Sequence, residues 1–146
     1  MVELPIARAN TKRLLSLGGY EVGRGHYPLI VAFHAAWLIT LWLLARDRPV
    51  STPLLALFAL VECARVWVLM TLGRRWTTRI VVVPGERLIA KGPFRFLNHP
   101  NYAVVVAEIA LLPLVFGLWR IGAIFTILNA VLLSIRIREE NSALGR

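Results

Sequence analysis

Four runs of apolar residues, at 27–45, 53–72, 100–118 and 121–137, constrain this chain more than any other feature. As an α-helix, a run of about twenty residues rises roughly 30 Å, the thickness of a bilayer's hydrocarbon core. Inside that core each backbone N–H and C=O must be bonded within its own segment, so such runs fold as helices. Apolar residues make up 58% of the 146, against about 45–50% in soluble domains, and the excess is concentrated in the runs. The net charge of +9 would suggest nucleic acid on a soluble chain. Here the lysines and arginines sit between the apolar runs, which is the layout of a membrane protein, and no nucleic-acid partner is expected. The expected fold is an all-α integral membrane protein with about four transmembrane helices. Its short 117–120 connector folds the last two into a C-terminal helical hairpin, and the whole of 1–146 forms one domain.

Cation placement orients the bundle. Four lysines and arginines precede the first span, six lie between the second and third, and three, Arg136, Arg138 and Arg146, stand at the C-terminal end, against three on the opposite side. Thirteen against three puts both termini and the 73–98 connection in the cytoplasm. Residues 1–25 mix Arg8, Lys12 and Arg13 with Leu4, Ile6, Leu14, Leu15 and Leu17, the pattern of an interfacial helix, and Gly18, Gly19, Gly23 and Gly25 mark a flexible turn region after it. No cleavable signal peptide is visible there. In the connection, 79–83, Pro84-Gly85 and 87–89 predict a short hairpin turning at Pro-Gly. Within the spans, Glu62 and Arg65 share a helix face and can neutralise each other, as a structural ion pair between helices. Pro113 is expected to interrupt the third span, Asn129 to face a neighbouring helix, and His34 to be a packed, hydrogen-bonded histidine. Cys63 reads as packing.

Reactive and special-geometry residues crowd into one stretch, Lys91-Gly92-Pro93-Phe94-Arg95-Phe96-Leu97-Asn98-His99-Pro100-Asn101-Tyr102. Pro100 disfavours a helical His99 but suits the first turn of a helix, so a loop ends at His99 and a helix begins at Pro100. Helix starts carry unpaired N–H groups and partial positive charge, while Phe94, Phe96 and Tyr102 offer faces for a flat base or a cation. Taken alone, the same stretch also reads as a surface loop with aromatic anchors. At the other end of the hairpin stands Arg136-Ile-Arg138-Glu139-Glu140, in which Arg136 and Glu140 share a face. Because the hairpin returns this segment to the side of His99, the residues His99, Tyr102, Arg136 or Arg138, and Glu140 can converge on one pocket.

The run from Gly92 to Tyr102, a helical hairpin and then Arg136 to Glu140 together resemble the isoprenylcysteine carboxyl methyltransferase family, over residues 67–144. The earlier stretch Gly18-Gly-Tyr-Glu-Val-Gly-Arg-Gly-His-Tyr-Pro-Leu-Ile-Val31 is similar to the family's short bacterial branch, linked to O-methylation of lipid-tailed acidic compounds such as alkylpyrones. The resemblance implies a membrane methyltransferase using S-adenosylmethionine, with 66–146 as the cofactor-binding core and a bacterial inner-membrane location. It implies cofactor contacts from Lys91, Gly92, Pro93, Phe94, Phe96, Leu97, His99 and Tyr102, with Glu140 or, in a competing alignment, Glu139. Arg136, Arg138 and Glu140 are the implied catalytic residues, with an arginine orienting a lipophilic acidic acceptor. Two departures limit the carry-over. Asn98 stands where the broader family often has arginine, and chains of this branch usually begin with a further apolar helix that is not seen before residue 27.

Other chemistries find little support. There is no Gly-x-Gly-x-x-Gly for a Rossmann cofactor domain. The three histidines are scattered and Cys63 is the sole cysteine, so neither a metal site nor a disulfide framework is expected. The alternatives are an NADPH-dependent reductase of the sterol-reductase type, which would want more arginines around the loop, and a non-catalytic membrane scaffold or lipid-binding subunit.

Overall fold

The computed structural model describes residues 3–145. In chain order the elements are α1 (Glu3–Ser16), β1 (Tyr20–Val22), α2 (Tyr27–Leu44), α3 (Thr52–Leu72), β2 (Ile80–Val82), α4 (Pro100–Val115) and α5 (Trp119–Leu144), with single 3₁₀ turns at Arg24–His26, Gly73–Arg75 and Gly92–Arg95. The four apolar runs are α2 to α5. Three of them, α2, α3 and α5, are long and apolar enough to cross a membrane; α4, with 16 residues, rises about 24 Å. Outward-facing Trp42, Leu60, Met70 and Ile127 are highly exposed. Such an apolar exterior suits lipid and would be an aggregation liability in water. Arg146, counted with the C-terminal cations, lies outside the described residues.

Packing is organised around α4, which lies against both α3 and α5. Phe33, Trp37 and Leu41 of α2 meet Ile109 and Leu118, and Phe33 and Phe125 have ring centroids 5.5 Å apart. Where α4 and α5 cross, a Cβ on Gly122 would stand 3.3 Å from the Ala110 carbonyl oxygen and 3.5 Å from Pro113 Cβ, so glycine sets their separation. Pro113 does not interrupt α4. The helix continues to Val115, and Gly117, at φ 70°, reverses the chain into the hairpin with its N–H on the Leu114 carbonyl at 3.0 Å.

Local readings fail where a distant partner wins. The strand expected at 79–83 exists as β2, but it pairs antiparallel with β1, in register Tyr20↔Val82 and Val22↔Ile80. The glycine-rich segment after α1 therefore holds a strand, and a two-stranded ribbon departs from the all-α expectation. Pro84-Gly85 does turn the chain, with Glu86 N–H on the Val83 carbonyl at 3.3 Å and Gly85 at φ 78°, yet 87–89 forms no strand. Arg65 spans helices rather than pairing with Glu62. Its Nη1 donates to both Glu108 oxygens at 2.7 Å and its Nη2 to Glu3 Oε2 at 2.8 Å, joining α3 to α4 and α1. Cys63 is exposed on the outer face of α3 rather than packed.

Ala7, Asn10 and Leu14 form the buried face of α1. Asn10 Nδ2 donates to the carbonyls of Gly73, at 3.3 Å, and Trp76, at 2.9 Å, satisfying groups left open past the end of α3. Thus α1, the ribbon and the 73–98 connection form one cap on the Arg-rich end of the bundle.

Candidate active site

Pro100 begins α4 as the sequence dictates, leaving His99 at the N-cap with its ring over the start of the helix. One helical step on, Tyr102 stacks on His99, with ring centroids 5.3 Å apart and planes 21° from parallel. Opposite them, the last turns of α5 present Arg136, Glu140 and Asn141. Tyr102 hydroxyl donates to Glu140 Oε2 at 2.5 Å and accepts from Arg136 Nε at 2.9 Å. Arg136 and Glu140 are thus bridged by a phenol, although their i,i+4 spacing alone would pair them directly. Arg136 Nη2 donates to the Thr78 carbonyl at 2.7 Å. His99 Nε2 donates to Asn141 Oδ1 at 3.0 Å, while its Nδ1 lies 3.6 Å from Glu140 Oε2, too far for a hydrogen bond.

The ribbon holds the third wall. Glu21 of β1, its side chain 4% exposed, accepts from Arg79 Nη1 at 2.9 Å and from Arg24 Nε at 3.1 Å. Arg79 in turn lies over the Tyr27 ring, and Tyr27 hydroxyl meets Thr78 Oγ1 at 3.1 Å. This fixes the 76–79 segment, and with it the carbonyl that receives Arg136.

Between these walls lie two adjoining hollows of about 140 and 160 Å³, with Leu72, Arg75, Phe94, Asn98 and Glu140 among the residues common to both. His99 and Tyr102 line the first of these. A separate apolar cavity of about 280 Å³ lies on the membrane side, lined by Ile30, Val31, His34, Val105, Leu132 and Leu133 among others. Trp76, Thr77, Asn101, Tyr102 and Arg136 line both this cavity and the polar cleft. They form a common wall, with the Tyr102–Arg136 pair set in it.

The structure therefore brings together His99, Tyr102, Arg136 and Glu140, with Phe94 from the loop. Arg138 and Glu139, on other faces of α5, are exposed. Phe96 and Leu97 point outward, 77% and 51% exposed, and Pro93 is buried beneath the loop. Gly92 has φ 57°, and a Cβ there would stand 2.8 Å from Thr71 Oγ1, so the loop presses on the end of α3 as only glycine allows. Lys91 lies with Arg13, Arg74, Arg75, Arg87 and Glu86 around a neighbouring basic hollow of about 690 Å³. Sequence reasoning missed Asn141, Thr78 and Arg79. Asn141 directly follows the acidic pair, which was a usable signal. Thr78 and Arg79 reach the site only through the β1–β2 pairing.

The chemistry of these groups fits S-adenosylmethionine. A carboxylate suits its ammonium or sulfonium charge and aromatic faces suit its adenine, while the cleft-wall arginines Arg75 and Arg79 are already paired with Glu86, at 2.7 Å, and Glu21, at 2.9 Å.

Residues 54–146 match the family described as the isoprenylcysteine carboxyl methyltransferase (ICMT) family. The chain is similar to the uncharacterized protein YpbQ of Bacillus subtilis (strain 168), at 42% identity over 147 positions, covering 97% of this chain and 88% of the relative. It is also similar to an uncharacterized protein of Haemophilus influenzae (strain ATCC 51907 / DSM 11121 / KW20 / Rd), at 23% identity over 148 positions, covering 97% and 86%. No solved structure matches the chain.

Proposed function

This chain belongs to the isoprenylcysteine carboxyl methyltransferase family, and from that premise we propose that it transfers the methyl group of S-adenosylmethionine to an anionic oxygen of a lipophilic acceptor, a carboxylate or an enolate, at the cytoplasmic face of a bacterial inner membrane. Members of the family are membrane methyltransferases that use this cofactor. The observation that carries the reading is the common wall: a polar cleft and an apolar cavity meet at Tyr102 and Arg136. The cleft has the groups for a soluble, zwitterionic cofactor, and the cavity is shaped for a chain drawn from the bilayer.

When bound, the cofactor supplies an electrophilic methyl carbon on a positively charged sulfur. An oxygen lone pair forms the new O–C bond while the C–S electron pair leaves with sulfur, so the products are a neutral ester or enol ether and S-adenosylhomocysteine. Such an acceptor is already ionised near neutral pH, and no general base is required of the protein. What the protein contributes is placement and electrostatics. Glu140 and His99 hold the cofactor side. Arg136, anchored by the Thr78 carbonyl and the Tyr102 hydroxyl, offers its guanidinium to the acceptor anion where water is scarce and charge attraction is strong. Arg138, being exposed, takes no such part in this reading.

The test is calorimetric titration of S-adenosylhomocysteine into detergent-purified protein. Wild type is expected to bind, and His99→Ala and Glu140→Ala to lose binding while remaining folded; a folded wild type that does not bind would sink the proposal. One observation favours a second reading. Arg13, Arg74, Arg87 and Lys91 surround the hollow beside the loop, together with Arg75 paired to Glu86 at 2.7 Å, an excess of positive charge that a phosphate-rich NADPH would need. Titrating NADPH in parallel separates the two.

A further inference from the structure

Methyl transfer makes no use of the basic hollow beside the loop. Four cations on its wall, Arg13, Arg74, Arg87 and Lys91, have no ion-pair partner among the described residues. Arg75 is instead a strut: its Nη2 pairs with Glu86 at 2.7 Å and its Nη1 donates to the Arg87 carbonyl at 2.7 Å, holding 86–87 against the end of α3. At its other end the loop is pinned where Gly92 meets Thr71, so the cations it carries keep their places around the hollow. Five cations against one carboxylate leave four positive charges unneutralised in a space of about 690 Å³.

The hollow stands at the head of an apolar track. Leu60, Cys63, Trp67 and Met70 recur at steps of three and four residues, so they form one stripe along the outer face of α3, and all four are exposed. Thr71, next after Met70, lines the hollow, and a Cβ on Gly92 would stand 3.5 Å from Trp67 Nε1. Exposed Leu88 adds apolar surface to the hollow itself. A lipid-facing stripe thus runs into a concentration of positive charge at the Arg-rich end of the bundle.

We propose that the hollow binds the phosphodiester headgroup of an anionic phospholipid, with one acyl chain laid along the α3 stripe. Charge complementarity selects the headgroup: a phosphodiester meets guanidinium and ammonium donors, whereas a zwitterionic headgroup brings a cation of its own into the same excess of positive charge. The stripe selects a lipid over a soluble phosphate, which would fill the hollow and leave the apolar track uncovered. The assignment goes beyond the methyl-transfer reading and does not depend on it, and it competes with NADPH for the hollow. Arg75, Glu86, Arg87, Leu88 and Ile89 line both this hollow and the adjoining 160 Å³ part of the polar cleft, so a bound lipid braces a wall of the cleft as well.

The test uses the whole chain reconstituted in phosphatidylcholine vesicles at about 0.15 M salt, where exposed charges more than roughly 8 Å apart are screened. A fixed fraction of the lipid carries brominated acyl chains, on phosphatidylglycerol or on phosphatidylcholine, and quenching of tryptophan fluorescence gives their relative affinities. Each cation near the surface is worth about fivefold, so two engaging one phosphodiester make the expected preference for phosphatidylglycerol roughly twentyfold. Arg74→Gln and Lys91→Gln should each lower it about fivefold, while Arg138→Gln, an exposed cation away from the hollow, should leave it within about twofold. Trp67→Phe should remove the extra quenching, because that indole lies on the stripe. No preference in wild type overturns the proposal, and so does an equal loss in Arg138→Gln, which would mark diffuse surface charge. Extra quenching that survives Trp67→Phe would place the lipid elsewhere and overturn it too. Inorganic phosphate or NADPH added in excess separates the sources: a preference that persists supports the lipid, and one that either abolishes gives the hollow to a soluble phosphate. Arg74→Gln and Lys91→Gln are independent, so one that fails to fold leaves the other to decide.

Discussion

Replacing Tyr102 with phenylalanine removes a single oxygen from the centre of the polar network, and its effect follows from the geometry. The hydroxyl makes two bonds with charged partners, to Glu140 at 2.5 Å and from Arg136 at 2.9 Å. Bonds of this kind contribute about 1.5–3 kcal/mol each when their partners are held in place. Three features reduce the loss. Arg136 keeps the Thr78 carbonyl at 2.7 Å, the Glu140 side chain is 25% exposed and regains water, and the two ions, one turn apart, recover about 0.3–0.5 kcal/mol by pairing directly. The ring itself remains stacked on His99, so the start of α4 keeps its shape. The net cost to a carboxylate poised for the cofactor is about 1–2 kcal/mol, which corresponds to roughly a five- to thirtyfold weaker Kd for S-adenosylhomocysteine. Calorimetry on the purified variant, with a thermal melt alongside, measures both terms. Wild-type affinity in Tyr102→Phe would refute the claim that the phenol positions Glu140 for the cofactor. A collapse of the melt together with binding would assign the hydroxyl to stability instead.

Other perturbations separate stability from site chemistry. Arg65→Met leaves the Glu108 carboxylate, whose side chain is 12% exposed, without its cation, and should destabilise by about 3–5 kcal/mol. Adding Glu108→Leu should restore most of that in a thermal melt, whereas failure of the rescue would show that Glu3 or packing dominates. Gly92→Ala should cost about 1–3 kcal/mol, because the residue must hold φ 57° and its Cβ would press on Thr71 at 2.8 Å. Faster proteolysis of the 86–97 segment is the measurement. Glu139→Ala and Arg138→Ala should bind S-adenosylhomocysteine within about twofold of wild type, since surface substitutions away from special features usually shift energies by under about 0.5 kcal/mol. A tenfold loss in either would move the site to the other face of α5.

Helix positions were legible because lipid leaves the backbone no alternative: an apolar run is a helix, and Pro100 marks where one begins. The convergence of His99 and Tyr102 with Arg136 and Glu140 was legible too, because a short connector makes α4 and α5 antiparallel and fixes which ends meet. The misreadings share one cause, a nearby partner preferred to a distant one. Pro84-Gly85 invited a local hairpin, but β2 had a partner in β1, sixty residues upstream, tied to it through Glu21 and Arg79. Glu62 stood three residues from Arg65, but the guanidinium has two carboxylates on other helices: Nη1 reaches both oxygens of Glu108, and the Nε–Nη2 fork meets the two oxygens of Glu3. Arg136 and Glu140 had the right spacing to pair, and a phenol from another helix came between them.

These long-range substitutions are what make the site. The ribbon brings Thr78 and Arg79 from the 73–98 connection to the head of α5, and the Thr78 carbonyl then takes one arm of Arg136 while Tyr102 takes another. An arginine with both ends of its guanidinium assigned is held at one place in the wall between cleft and cavity. Had Arg136 paired directly with Glu140, the cation would have been neutralised by the acid proposed for the cofactor, and neither would have been free for a ligand. Inserting the Tyr102 hydroxyl keeps the two charges apart, one for each cavity, and methyl transfer needs that separation: a carboxylate beside a cationic cofactor and a cation beside an anionic acceptor, with the reacting atoms between them.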